Sequence, residues 1–145
     1  TFSKIYGLAS LRVGYGITNP SVAEILNRVR QPFNVNSYGL AAASAALLDD
    51  EFVRESGRMN DLGMQQFVSL AERLGLAFIP SRGNFLTFEF DQEGIEVYQR
   101  LLRRGVIVRP LAGYGLPNHL RVSIGSTEEN ERFCEALEAV LSENR

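Results

Sequence analysis

Three rhythms of apolar residues divide the first half of the chain. Leu11-Arg12-Val13-Gly14-Tyr15-Gly16-Ile17 alternates and carries β-branched and aromatic side chains, which predicts a short strand with glycine where something packs close. Pro20 then opens a helix over 21–30, with Val22, Ile25, Leu26 and Val29 at helical spacing, and Pro32 closes it into an asparagine-rich loop, Gln31 to Ser37. The alanine-dense run Leu40 to Leu48 predicts a second helix whose small side chains permit close packing. From Asp49 to Gly75 runs a long amphipathic stretch carrying Phe52, Met59, Leu62, Phe67, Leu70 and Leu74, with Asp49 or Asp50 suited to cap its start and Gly75 its end. Gly57 and Gly63 each cost about 1 kcal/mol relative to alanine inside a helix, so a bend or break is expected there.

Beyond Gly75 short strands and helices alternate. Strands are expected at Ala77-Phe78-Ile79, Asn84 to Phe90, Val106-Ile107-Val108 and Leu120 to Ile124, and a helix over Glu93 to Arg104. Ser126-Thr127-Glu128-Glu129 has the hydroxyl-x-x-acid form of a capping box and announces a last helix with Phe133, Leu137, Val140 and Leu141 on its buried face. The fold class is α/β: a strand-and-helix piece over 1–48, then over 49–145 a long connecting helix and an α+β layer, a small mixed or antiparallel sheet covered by helices.

Composition narrows the function classes. At 145 residues and 45% hydrophobic content the chain can build an ordinary globular core, and no run approaches the ~20 apolar residues of a spanning helix. Fifteen basic against 17 acidic residues leave a net charge of -2, which gives no general pull toward nucleic acid. The single cysteine, Cys134, cannot form an internal disulfide, fits a reducing compartment, and falls on the apolar side of a helix where a buried, inert thiol is expected. No histidine, cysteine or acidic cluster has metal-ligand spacing; His119, the lone histidine, reads as a loop residue. Asp49-Asp50-Glu51 and Glu128-Glu129 read as complements to helix N-termini, and Gly113-Tyr114-Gly115 lacks the setting of a phosphate loop.

One basic residue differs in kind. Lys4 is the only lysine, and it follows a serine in Thr1-Phe2-Ser3-Lys4-Ile5-Tyr6-Gly7-Leu8-Ala9-Ser10-Leu11-Arg12. A lysine amine shielded from water can lose its proton and attack a carbonyl, which a guanidinium cannot do. Taken by itself, a Ser-Lys step reads as surface sequence in an arginine-rich protein, since lone short motifs are common by accident. The full segment, with an arginine eight residues on and glycines around it, resembles the cofactor-attachment segment of the fold type I pyridoxal-phosphate (PLP) aminotransferases. Three later segments resemble the same family in the same order: Gln31-Pro32-Phe33-Asn34-Val35-Asn36, similar to the substrate-bordering loop of the histidinol-phosphate aminotransferase branch; Ser81-Arg82-Gly83-Asn84-Phe85; and Gly105 to Pro110 followed by Leu120 to Gly125, similar to its pair of arginine-bearing strands.

The resemblance covers essentially the whole chain. It implies that Lys4 carries PLP as a Schiff base, that Ser3, Thr1 and Arg12 help hold the cofactor, and that Arg121, Arg109 and Asn36 contact substrate. Arg121 is implied to clamp a carboxylate and Arg109 a phosphate, although the residues alone leave the division of two anions between two arginines open. Both arginines sit in apolar strand sequence, where a guanidinium is costly without an anion unless it points to solvent. Tyr6 fits either the cofactor pocket or a core. The implied enzyme is a cytoplasmic homodimer of histidine biosynthesis that exchanges an amino group between L-histidinol phosphate and glutamate/2-oxoglutarate, without nucleic acid, membrane or metal.

Relatives that transaminate aromatic amino acids or decarboxylate threonine phosphate carry similar motifs. A lysine so close to Thr1 implies a C-terminal portion, residues 1–48 being a remnant of the large cofactor domain, whose absent part would supply the acid for the pyridine nitrogen and the aromatic that stacks on the ring. On that reading the isolated piece is inactive, and a non-catalytic, self-associating module is the other outcome.

Overall fold

The computed structural model describes residues 1–143. The chain forms two compact units, Thr1–Gly57 and the part from Arg58 onward. The division falls inside a helix, between Gly57 and Arg58, whereas the sequence pattern placed a boundary at 48/49. The first turns of that helix belong with unit 1 because Phe52 reaches back to Gly7: a Cβ on Gly7 would lie 3.7 Å from its ring.

Unit 1 holds α1 (Pro20–Val29) and α2 (Ser37–Ala46). Each begins at an asparagine whose side-chain oxygen accepts a backbone N–H, Asn19 from Val22 at 3.0 Å and Asn36 from Gly39 at 2.7 Å. The strand expected over 11–17 is not formed. Ala9–Leu11 make one 3-10 turn, and the alternation is not realised: Val13 is buried while Tyr15 and Ile17, at the same strand parity, stay exposed. A strand needs a neighbour for its backbone groups, and among the described residues the segment's backbone pairs with another stretch of backbone only where Phe2 N donates to Val13 O at 3.2 Å. Phe2, Val13 and Ala43 form a small core with Tyr6, Leu8, Leu11 and Val35 packed against it.

The helix α3 (Asp50–Leu74) runs 25 residues without interruption. Asp49 Oδ1 accepts from Phe52 N at 3.0 Å at its start, and Gly75, at φ +69°, ends it as Leu76 N donates to Ala71 O at 2.9 Å. No break occurs at Gly57 or Gly63. Gly63 is required by packing: a Cβ there would run into Ile124 and lie 2.7 Å from Asn130 Nδ2.

In unit 2, β1 (Phe78–Ile79), β2 (Phe85–Glu89), α4 (Gly94–Arg103), β3 (Arg109–Pro110), β4 (His119–Ser123) and α5 (Thr127–Ser142) build an antiparallel four-stranded sheet in the order β1-β2-β4-β3. The expected strand 106–108 gives way to β3 at 109–110; Val106 is spent on the core instead, its N–H donating to Leu101 O as the chain leaves α4. Alternation on the sheet sorts the faces. Leu86, Phe88, Leu120 and Val122 are buried with Phe67 of α3, Val97 and Leu101 of α4, and Phe133, Leu137 and Val140 of α5. Phe67, Phe88 and Phe133 meet with ring centroids 5.1–6.0 Å apart, mostly edge-to-face, a geometry worth about 0.5–1.5 kcal/mol per pair beyond burial. The capping box of α5 is present in both directions, Glu129 N to Ser126 Oγ and Ser126 N to Glu129 Oε2.

Candidate active-site residues

The Lys4 segment is a compact loop. Lys4 O accepts from Gly7 N at 2.9 Å, Leu8 N donates to Phe2 O at 3.0 Å, and buried Phe2 anchors the loop against Tyr6, whose ring lies 4.9 Å away. This leaves the Lys4 side chain exposed while Tyr6 serves the core. Thr1 Oγ1 donates to Ser3 Oγ at 2.9 Å and accepts from Ser3 N at 3.2 Å, so two hydroxyls stand side by side next to the lysine. Gly14 is pressed onto Thr1, with room for a Cβ only 3.2 Å from Thr1 Cα.

Arg12 lies exposed in the same unit and has a left-handed backbone, φ 53° and ψ 46°, a conformation uncommon outside glycine. Its Nη1 donates to Ala9 O at 2.7 Å, leaving the guanidinium's other donors to reach a ligand. Asn36 is committed to the chain at both ends of its amide: Oδ1 accepts from Gly39 N and Nδ2 donates to Leu11 O at 2.9 Å.

In unit 2 the register places Arg109 directly opposite Arg121, and Arg121 opposite Thr87 on its other side. The two guanidiniums therefore share the sheet face that points away from the core. Like charges directly opposite are destabilising, and among the described residues neither arginine has an acidic partner. Arg121 is half-buried with its Cζ 5.0 Å from the centroid of Phe85, and its buried Nε has no hydrogen-bond partner among the described residues. Both arginines are among the residues lining a cleft of about 810 Å3, together with Glu129, Asn130 and Arg132. Such a pair, pre-oriented and unneutralised, is suited to bind an anion bidentately.

Thr87 did not stand out in the sequence, and Phe85 did so only as the end of the Ser81–Phe85 segment, with no role of its own. Their signal was the strand period: Phe85, Thr87 and Glu89 share one face, and Thr87 pairs with Arg121. His119 is the first residue of β4 rather than a loop residue, and its Nε2 lies 3.9 Å from Glu89, its partner in the register. Cys134 has its thiol pushed up to about 11 by burial and then by Glu138, further from the thiolate than an ordinary cysteine. Among the described residues no group of acidic, histidine or cysteine side chains could hold a metal ion, and no helix is long and apolar enough to cross a membrane.

Comparison with known proteins bears on both arginine groups at once. The family model for aminotransferase class I and II matches residues 1–137. Histidinol-phosphate aminotransferase 2 of Pseudomonas fluorescens is 60% identical over 142 residues, 98% of this chain and 38% of that protein. The histidinol-phosphate aminotransferase of Methylobacillus flagellatus is 61% identical over 141 residues, 97% of this chain and 38% of that protein. The chain thus spans well under half the length of these curated relatives. Among solved structures, a putative histidinol-phosphate aminotransferase from Erwinia carotovora atroseptica superposes with a TM-score of 0.90 at 28% identity, covering 99% of this chain and 41% of that one. The histidinol-phosphate aminotransferase of Sinorhizobium meliloti, solved in complex with pyridoxal-5'-phosphate, superposes with a TM-score of 0.84 at 29% identity, covering 100% and 41%. With its lysine loop, its left-handed arginine and its facing strand arginines set in a chain matched almost end to end, this protein belongs to the class I and II aminotransferase family.

Proposed function

We propose that the protein carrying this chain transfers an amino group between L-histidinol phosphate and 2-oxoglutarate with PLP, as a cytoplasmic homodimer. Residues 1–48 act as part of the large cofactor domain and residues 49–145 as connecting helix and small domain. The observation that carries the substrate reading is the Arg109–Arg121 pair, two cations opposed across β3 and β4 without an acidic partner among the described residues. A substrate with a phosphate, alternating with one bearing two carboxylates, calls for such a site. Arg121, braced by Phe85, is the carboxylate clamp, and the exposed Arg109 is the phosphate partner.

The residues of unit 1 suit the cofactor. Thr1 and Ser3 present hydroxyls 2.9 Å apart, Arg12 presents a guanidinium, and Lys4 presents the chain's one side-chain amine, a donor set matched to a phosphate dianion and an aldehyde. When bound, PLP supplies the electron sink for the substrate carbon that loses its proton. Lys4 Nζ is the attachment point and, once released, the base that moves that proton. Groups around the pyridine ring would come from the part of the relatives that this chain does not match. Joining the chain behind the N-terminal part of the Pseudomonas fluorescens relative and assaying a substrate panel tests this reading. Turnover should be fastest with L-histidinol phosphate, and a preference for phenylalanine would sink the substrate assignment.

A further inference from the structure

We infer that Asn36 is a positioning residue that sets the direction of Arg12 by holding the Leu11 carbonyl; the inference rests on the reading of Arg12 as a cofactor-phosphate ligand. Arg12 is one of two non-glycine residues with positive φ in the described chain, at 53°, so its backbone must be held on both sides to stay there. On the C-terminal side, Val13 is buried and its carbonyl accepts from Phe2 N, 3.2 Å away. On the N-terminal side the holder is Asn36, whose Nδ2 donates to Leu11 O at 2.9 Å across 25 residues of sequence. Leu11 O belongs to the peptide that leads into Arg12, so its direction fixes one side of the Arg12 φ angle.

The amide is itself fixed. Its Oδ1 accepts from Gly39 N at 2.7 Å at the start of α2, and the two contacts assign the same orientation of the amide, oxygen toward an N–H and nitrogen toward a carbonyl. Gly39 is buried and leaves the room this contact needs: a Cβ there would lie 3.1 Å from Asn36 Nδ2 and 3.2 Å from Leu11 O. One side chain therefore ties the first turn of α2 to the turn that presents Arg12. Asparagine is needed for both roles together, since Asp and Ser can cap a helix but an ionised Asp has no donor for Leu11 O and the Ser side chain is one atom shorter, so its single hydroxyl does not reach both partners.

That difference supplies the test on the chain as it exists. Asn36→Asp and Asn36→Ser should keep α2, seen in unchanged chemical shifts for residues 40–46, yet lose the strong intraresidue HN–Hα NOE that marks positive φ at Arg12. Gly39→Ala presses on the same contact without altering Asn36 and should weaken the same NOE. Retention of that signature in both Asn36 variants, with α2 intact, overturns the inference. A parallel titration judges the cofactor reading separately. In the unsubstituted chain pyridoxal phosphate, but not pyridoxal, should shift the Arg12 Nε–Hε signal, and Asn36→Ser should weaken that binding on the order of tenfold. No Arg12 shift in the unsubstituted chain overturns the reading of Arg12, whereas the backbone NOE still decides the role of Asn36.

Discussion

Gly57 and Gly63 lie six positions apart in the same helix, and the same substitution at each should have opposite effects. Replacing either with alanine gains about 1 kcal/mol of helix propensity. At Gly57 nothing lies within 4 Å of the added Cβ, so that gain stands. At Gly63 the Cβ runs into Ile124 and comes within 2.7 Å of Asn130 Nδ2. Asn130 is buried and closes a two-way contact with Gly125, accepting from its N–H at 2.9 Å and donating to its carbonyl at 3.3 Å. Overpacking costs about 1–3 kcal/mol, and disturbing a buried, hydrogen-bonded amide adds about 1 kcal/mol or more. Set against the propensity gain, Gly63→Ala should destabilise unit 2 by about 2 kcal/mol. Native-state hydrogen exchange at Leu120 and Val122, in the central strand, reads this directly. Exchange should be roughly 30-fold faster in Gly63→Ala and no faster in Gly57→Ala. Equal exchange in the two variants, or slower exchange in Gly63→Ala, would refute the close-approach argument.

Other consequences can be checked in the same way. Ser126→Ala removes one half of the α5 capping box and should cost about 1 kcal/mol, lowering the urea midpoint of unit 2 without changing its slope. Iodoacetamide should alkylate Cys134 at pH 8 about 100-fold more slowly in the folded chain than in urea, because a thiol moved from 9.0 to about 11 loses two decades of thiolate; comparable rates would show that burial does not hold the proton. The same shift lowers stability as pH rises above 9, since the unfolded chain then releases this proton first. On the proposed role of Arg121 as the carboxylate clamp, Arg121→Lys in the chain joined to the relative's N-terminal part would give up bidentate recognition worth about 1.5–3 kcal/mol and should raise the KM for the amino-acid substrate by roughly 10- to 150-fold. Phe85→Leu, which removes only the stacking surface, should raise it a few-fold.

Three helices were legible in the sequence because periodic apolar residues followed a recognisable start: Pro20 for α1, Asp49 before α3, and the Ser126 box of α5. It misjudged elements whose conformation is decided by a neighbour. Residues 11–17 have strand composition, but composition cannot provide the partner that a strand's backbone requires. Gly63 read as a helix breaker because the reason for its presence, Ile124 and Asn130, lies some 60 residues away. Lys4, Arg12, Arg109 and Arg121 could be picked out by residue type and motif. Their geometry could not: the left-handed Arg12, the facing register of Arg109 and Arg121, and the Phe85 brace all arise from contacts between separate segments. Asn36 shows this most clearly, since its motif pointed to a substrate contact while its amide is engaged with Leu11 and Gly39.

The role proposed for Lys4, attachment of the cofactor, is tested most directly by joining this chain behind the N-terminal part of the Pseudomonas fluorescens relative, loading the protein with pyridoxal phosphate, reducing it with borohydride and mapping the modified peptide by mass. A single pyridoxyl group on the Lys4 peptide, absent in Lys4→Ala and weakened by Arg12→Ala, is the predicted result. Stoichiometric modification at another amine, with Lys4 unmodified, would contradict it.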